Sequence, residues 1–294
     1  MDAKKLLMIV NPTAGRNKPR GPLFDAAAEL CDAGYLLSIH TTTSPDDAAQ
    51  TAAARGGDYD AVVAVGGDGT LNQVVSGLMT LECPPLLGYI PQGSTNDFAA
   101  SLHLPLDPVS AVEQIVQDPP RQQLDIGRWN QRYFVYVASF GAFARSSYAA
   151  PQAAKNALGH FAYILEGMKD LNSLRPYQVK ITADGECLDG EYLFGAVCNS
   201  TSIGGLMKLN PERVVLDDGK FELLLIPSPR TPADLQNLVF ALLNQQYDRL
   251  IFRHVSSVRL ETEEELPWSL DGEFAASAPA VEIENLQRAL TLLL

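Results

Sequence analysis

Apolar residues in the first half of the chain fall into short blocks, each closed by a polar loop and followed by a stretch whose apolar positions recur every three or four residues. Leu6–Val10 is the first block, ending in Asn11-Pro12-Thr13-Ala14-Gly15-Arg16, and a helix is predicted over Leu23–Cys31 with Phe24, Ala27, Ala28 and Leu30 on its buried side. Tyr35–His40 follows as a strand, with Thr41-Thr42-Thr43-Ser44-Pro45 as a loop and Asp46–Ala54 as an alanine-rich helix. Ala61–Val65 and Leu86–Ile90 are two further strands, each running into a glycine-containing loop and a helix. Strand and helix in this alternation predict a Rossmann-like α/β domain with a parallel sheet, whose ligands sit at the carboxyl ends of the strands.

After a helix at Pro108–Val116 the period changes. Gln123–Arg128 and Tyr133–Phe140 alternate as strands around a polar turn at Asn130-Gln131. Tyr177–Ala183, Tyr192–Asn199, Phe221–Ile226, Ser256–Glu261 and Ala280–Ile283 continue as strands, with a final one from Ala289. Helices are predicted at Ala153–Leu171 and Pro232–Leu243. The expected architecture is an α/β domain over residues 1–124 followed by a mainly antiparallel, β-sandwich-like domain with helices over 125–294, whose last residues could pack back on the first.

The four loops that follow the first four strands carry the chemistry. In Gly66-Gly67-Asp68-Gly69-Thr70-Leu71-Asn72 the glycines permit positive φ and close approach of a ligand to backbone, and the amides opening the next helix favour an anion. Phosphate is the natural occupant. Asp68 would repel it unless a metal or a substrate hydroxyl intervenes, so the acid points to Mg²⁺ or a nucleophile.

Composition narrows the field. A formal charge of -13 argues against nucleic acid held by the overall field and against permanent docking on an anionic membrane. Cys31, Cys83, Cys187 and Cys198 are scattered, without a CxxC pair or a disulfide framework, as in a reducing compartment. The apolar block after Lys5 is too short for a signal-peptide core and no later segment has the length of a membrane span, so a cytoplasmic protein is expected. His40, His103, His160 and His254 lack ligand spacing, and Trp129 and Trp268 read as packing anchors.

Asn11-Pro12-Thr13-Ala14-Gly15, Gly66–Asn72, Pro91-Gln92-Gly93-Ser94-Thr95-Asn96-Asp97-Phe98-Ala99, Leu216-Asp217-Asp218-Gly219 and Asp271-Gly272-Glu273 occur in that order, and together they resemble the soluble diacylglycerol-kinase-type lipid kinases of bacteria, relatives of sphingosine kinases. The resemblance runs nearly end to end. It implies ATP held between the two domains and transfer of the γ-phosphoryl group to a lipid hydroxyl, diacylglycerol first. It implies nucleotide contacts from Asn11, Thr13, Gly15, Thr42, Gly66, Gly67, Asp68, Gly69, Thr70, Asn72 and Ser94, with Thr95 as an added hydroxyl. Glu273 would be the base that takes the acceptor proton, Asp68 would orient Mg²⁺ or Glu273, and Asp125 would support them. Asp218, with the carbonyls of Val215 and Lys220, would hold a structural Mg²⁺; Lys220 departs from the apolar residue usual there.

A lipid acceptor implies transient work at the inner membrane face, where Arg16, Lys18 and Arg20, extended by Arg145, Lys155 and Lys169, could meet headgroups or ATP. The Asn199–Gly205 loop resembles the family's lipid-side loop, and exposed edge strands in the second half allow a homodimer. Two rival readings are an NAD kinase, against which Gly93-Ser94-Thr95 followed by Asn96-Asp97 speaks, and a non-catalytic nucleotide-binding regulator, which would need neither Asp68 nor Glu273.

Overall fold

The structure is a computed structural model that describes residues 3–14, 21–117, 121–141, 175–203, 207–208, 214–243 and 250–293. Gly15, the basic residues Arg16, Lys18, Arg20, Arg145, Lys155 and Lys169, His160, the helix expected at Ala153–Leu171 and the Gly204-Gly205 part of the lipid-side loop lie outside the described residues. The chain divides into two compact units, one of residues 1–126 with 287–294, the other of residues 127–286.

In the first unit, β1 (Lys5–Val10), α1 (Gly21–Asp32), β2 (Leu36–Thr41), α2 (Asp47–Arg55), β3 (Ala61–Gly66), α3 (Asp68–Leu78) and β4 (Leu86–Pro91) alternate as the apolar blocks predict. They are followed by α4 (Asp97–Ser101), α5 (Pro108–Val116) and β5 (Arg121–Trp129). β1 pairs in parallel with β2 and β3, and β3 with β4. Every residue of β3 is buried, the mark of a central parallel strand covered on both faces. α5 starts where Asp107 accepts the Ser110 N–H at 3.0 Å, with Pro108 inside the first turn.

The face of α1 differs from expectation. Ala26 and Leu30 are buried, whereas Phe24 is 77 % exposed. Ala26 and Leu30 stand four apart on one stripe of the helix and Leu23 packs beside them, while Phe24 is rotated off that stripe by one residue.

The second unit holds β6 (Arg132–Phe134), β7 (Val137–Gly141), β8 (Tyr177–Ala183), β9 (Glu186–Cys187) and β10 (Gly190–Cys198). After the short pair β11 (Ser202–Ile203) and β12 (Met207–Lys208) come β13 (Phe221–Pro227), α6 (Pro232–Leu243), β14 (Ile251–Val255), β15 (Ser257–Glu261), β16 (Trp268–Leu270) and β17 (Glu273–Ala275). The last strand, β18 (Ala280–Leu293), begins in this unit and ends in the first, where Leu292 aligns with Leu87 of β4. All strand pairings within the second unit are antiparallel. Its core is aromatic: Trp268 lies 5.7 Å from Trp129 and 5.1 Å from Phe140, centroid to centroid, and all three are buried.

Two expected elements change shape. Tyr133–Phe140 is interrupted after Phe134 because the N–H groups of Val135, Tyr136 and Val137 turn to the carboxylate of Asp271. The two strands expected from Ala280 and Ala289 form one, which carries Arg288 at φ 52 in its course.

α2 and α3 pack closely at Gly77. A Cβ on Gly77 would stand 2.2 Å from the Ala49 carbonyl oxygen and 2.7 Å from the Ala52 Cβ. Gly77→Ala is therefore expected to lower stability by about 1–3 kcal/mol, although alanine is the better helix former. Urea denaturation checks this; a stabilised variant would mean that the two helices part at no cost.

Candidate active site

The loops after β1, β3 and β4 are joined by their own side chains. The Asn11 amide donates to Thr70 Oγ1 at 3.0 Å and, through Oδ1, accepts from the Thr13 N–H at 2.9 Å and the Thr13 hydroxyl at 2.8 Å. The first loop is thus folded onto the helix that opens at Asp68. Gly67 and Gly93 stand back to back, since a Cβ on Gly93 would lie 2.5 Å from the Gly67 Cα. Only glycine lets the third and fourth loops approach this closely. Asn96, left-handed at φ 51, holds the fourth loop closed by accepting the Gly93 N–H at 2.8 Å and donating to the Gly93 carbonyl at 3.1 Å.

Asp68 is the joint. Its carboxylate accepts the N–H groups of Asp97 at 3.0 Å and Phe98 at 3.3 Å, and the Thr95 hydroxyl at 3.4 Å. These N–H groups open α4, so an acid at the head of α3 also closes the head of the next helix. Burial raises the Asp68 pKa against those hydrogen bonds. Burial first, and then the Asp68 charge, push Asp97 up to about 6. The motif contains both Asn96 and Asp97, but their roles are absent from the sequence reading; a two-loop clamp is visible only when the loops are side by side.

Thr42 sits at the end of β2, its N–H donating to the Val10 carbonyl at 2.9 Å. Thr43, the neighbouring candidate in that run, is occupied: its N–H and hydroxyl donate to Asp47 at 2.7 and 3.1 Å. The Thr43 N–H foremost, opposed by desolvation and aided by His40, Thr43 and Thr51, holds Asp47 down to about 2. Ser94 and Thr95 are exposed, Gly66 closes β3, Gly69 and Thr70 lie on the first turn of α3, and Asn72 follows them, half-buried. Asp125, fully buried, accepts the Arg288 N–H at 2.8 Å.

In the second unit Glu273 is exposed at the start of β17. The turn before it has left-handed backbone at Asp271 (φ 48) and Gly272 (φ 85), as an Asp-Gly hairpin requires. Asp271 does more than turn the chain. Its buried carboxylate accepts three consecutive N–H groups, Val135 at 2.6 Å, Tyr136 at 2.9 Å and Val137 at 3.0 Å, and so fixes the turn that carries Glu273.

At the loop before β13, Asp218 is exposed and accepts the Lys220 N–H at 2.8 Å, and Val215 is exposed. The Lys220 ammonium is drawn away to Asp184 at 3.0 Å and Ser256 at 2.7 Å. It therefore leaves the backbone at Lys220 free of its charge. Glu222, 2 % exposed, is pushed up to about 8 by burial and then by the Asp218 charge. Among the described residues no three His, Cys, Asp or Glu side chains cluster as a metal site, and no helix is long and apolar enough to cross a membrane.

Chemically, the first unit offers a cluster of glycines, hydroxyls and a helix N-terminus tied together by the buried Asp68, and the second offers a fixed turn with one exposed carboxylate. Residues 5–129 match the model of the diacylglycerol kinase catalytic domain, and residues 136–294 match that of the YegS C-terminal NAD kinase beta sandwich-like domain. A diacylglycerol kinase of Bacillus subtilis (strain 168) is 36 % identical over 97 % of this chain and 94 % of its own length. One of Staphylococcus haemolyticus is 34 % identical over 96 % of this chain and 85 % of its own. Among solved structures, a diacylglycerol kinase from Bacillus anthracis str. Sterne superposes with a TM-score of 0.80 at 25 % identity, covering 100 % of this chain and 98 % of that one.

Two outcomes follow from the buried acids. A carboxyl that titrates near 3.8 when unfolded and about 6 when folded keeps its proton in the native state, so stability falls as pH rises between those values. Asp97→Asn should remove that share, on the order of 2 kcal/mol, of the loss between pH 4 and 7. Urea midpoints at both pH values test it, and equal losses in the two proteins would show that the Asp97 pKa does not change on folding. Asp271→Asn puts an amide N–H₂ among three donors and should cost about 1–3 kcal/mol by the same measurement. An unchanged midpoint would show those N–H groups satisfied elsewhere.

Proposed function

Because the chain belongs to the bacterial diacylglycerol kinase family and is a lipid kinase, we propose that it transfers the γ-phosphoryl group of ATP, with Mg²⁺, to the free hydroxyl of diacylglycerol, giving phosphatidic acid. The observation that carries this reading is the loop cluster tied by Asn11, Thr70 and Asp68, which presents glycines, hydroxyls and a helix N-terminus together.

Phosphoryl transfer asks for position and charge neutralisation more than covalent chemistry. Amides and hydroxyls of Asn11, Thr13, Gly66, Gly67, Gly69, Thr70 and Ser94 hold phosphate oxygens without adding negative charge. Asn72, Thr42, Thr95 and Gly15 complete the nucleotide contacts. Mg²⁺ bound with ATP would supply countercharge to the phosphates, and Asp68, whose carboxylate holds the N–H groups of Asp97 and Phe98, would be the acid of this unit to orient it. Glu273, exposed on a turn that Asp271 fixes, accepts the proton of the attacking hydroxyl. Asp125 supports the first unit from beneath, through its bond to Arg288.

The Asp218 turn fits a second, structural Mg²⁺. Its acid is at the surface and the Lys220 ammonium is engaged elsewhere. Asp218 with the carbonyls of Val215 and Lys220 would hold the ion. The acceptor is taken from a membrane surface, where a protein of this chain works peripherally and transiently.

The test is transfer of labelled γ-phosphate from ATP to a panel in mixed micelles: diacylglycerol, phosphatidylglycerol, a sphingoid base, and NAD in solution. Diacylglycerol should be labelled in a Mg²⁺-dependent reaction, and Glu273→Gln should lower kcat by roughly 10²–10⁴-fold with KM for ATP little changed. Phosphorylation of NAD alone would replace this reading with that of a small-molecule kinase. Wild-type turnover in Glu273→Gln would remove the base.

A further inference from the structure

β2 runs out into three threonines in succession, and the chain around them separates their roles. Thr41 is the last residue of β2 and aligns with Val10 of β1, which aligns in turn with Val65 of β3. One residue further along, the Thr42 N–H donates to the Val10 carbonyl and the Asn11 N–H to the Val65 carbonyl, each at 2.9 Å. Thr42, Asn11 and Gly66 therefore stand in one row at the carboxyl edge of the sheet, where the loops after β1 and β3 begin. The Thr42 hydroxyl bonds none of the described residues, which leaves it to a ligand.

Thr43 is the opposite case, and Asp47 makes it so. One carboxylate oxygen, Oδ2, accepts the Thr43 N–H at 2.7 Å and the Thr43 hydroxyl at 3.1 Å. The other, Oδ1, accepts the Thr51 hydroxyl at 3.2 Å and lies 3.0 Å from His40 Nε2, which is itself 3.1 Å from the Thr51 hydroxyl. Thr51 is buried one turn further along α2, and His40 belongs to β2, opposite Ile9. Both oxygens of the acid are thus fixed, one to the loop and the other to the elements on either side of it. Asp46, just before the acid, is left-handed at φ 65, a backbone uncommon for a residue with a side chain and maintained here by that closure.

We propose that Asp47 is a positioning residue of the nucleotide site: by binding Thr43 it sets the register of the loop, so that Thr42 and not Thr43 offers its hydroxyl to ATP. The proposal rests on the reading of the loop cluster as an ATP site, and Asp47 itself touches no nucleotide. A slip of one residue would part the Thr43 N–H from the carboxylate that accepts it, and the cost of leaving both unmet pins the register.

Calorimetric titration of the full chain with a non-hydrolysable ATP analogue and Mg²⁺ tests this, because it reads affinity and the number of sites separately. Thr42→Val and Asp47→Ala should each weaken binding by roughly three- to tenfold, with the number of sites unchanged. A variant that merely fails to fold loses sites instead and leaves the affinity of the remainder alone. Asp47→Asn keeps an acceptor for the Thr43 N–H and should recover part of the loss. Because the two residues act through one contact, the double variant Asp47→Ala/Thr42→Val should bind within about twofold of the weaker single variant. Thr43→Val retains its N–H and should stay within about twofold of wild type. Wild-type affinity in Asp47→Ala or Thr42→Val, full additivity of the two, or a larger loss in Thr43→Val than in Thr42→Val would overturn the proposal and leave the ATP site standing. If the wild type takes up none of the analogue at millimolar concentration, the ATP reading falls and the proposal with it.

Discussion

A carboxylate buried beneath two glycine loops is the constraint on which the first unit's site depends. Asp68 gives up water for the N–H groups of Asp97 and Phe98 and the Thr95 hydroxyl, and those bonds decide where the fourth loop stands. Gly67 and Gly93 can then touch because neither has a side chain. Asn11 and Thr70 bring in the first loop. Remove the acid and the loops lose the group that sets their distance, while the strands beneath them, buried on both faces, would keep their pairing. The site is therefore an addition carried by the sheet, and its precision comes from side chains of the loops themselves.

The same device recurs in the second unit. Asp271 takes three N–H groups from 135–137 and in doing so ends one strand, begins another and fixes the turn before Glu273. Asp184 accepts from the N–H groups of Ser256 and Ser257 where β14 passes into β15. Each acid replaces ladder bonds at a point where the sheet must change direction, and an unpaired backbone N–H inside a protein would cost more than the carboxylate does.

How much of this could be read from residues alone follows from the range of each interaction. β1, β3 and β4 were readable because a run such as Leu6–Val10 or Ala61–Val65 is apolar without interruption and ends at glycine or proline, a signal contained in a few neighbours. The loop motifs were readable as chemistry for the same reason. The break in Tyr133–Phe140 was not, since its cause, Asp271, lies far along the chain and Asp-Gly by itself signals only a hairpin. Phe24 went astray because apolar character says that a residue can be buried, whereas the partner surface decides which stripe of the helix is. The clamp of Asp68 on Asp97 was hidden by a different limit: both residues stand in the motifs, but a hydrogen bond between loops needs the sheet first.

These acids also change what the net charge of -13 means. Counted along the chain, it describes a protein that should repel ATP and phosphate-bearing lipids. In the fold, part of that charge is turned inward and spent. Asp68, Asp125 and Asp271 face backbone N–H groups, and burial pushes Asp97 up to about 6 and Glu222 up to about 8. The carboxylate of Asp68 is engaged by the Thr95 hydroxyl and the Asp97 and Phe98 N–H groups, among loops of glycines and hydroxyls at a helix N-terminus, the surroundings that favour an anion. An acidic chain and a phosphate site are thus compatible for a structural reason: the acid that looks misplaced among the glycines is the one whose hydrogen bonds hold the loops in position.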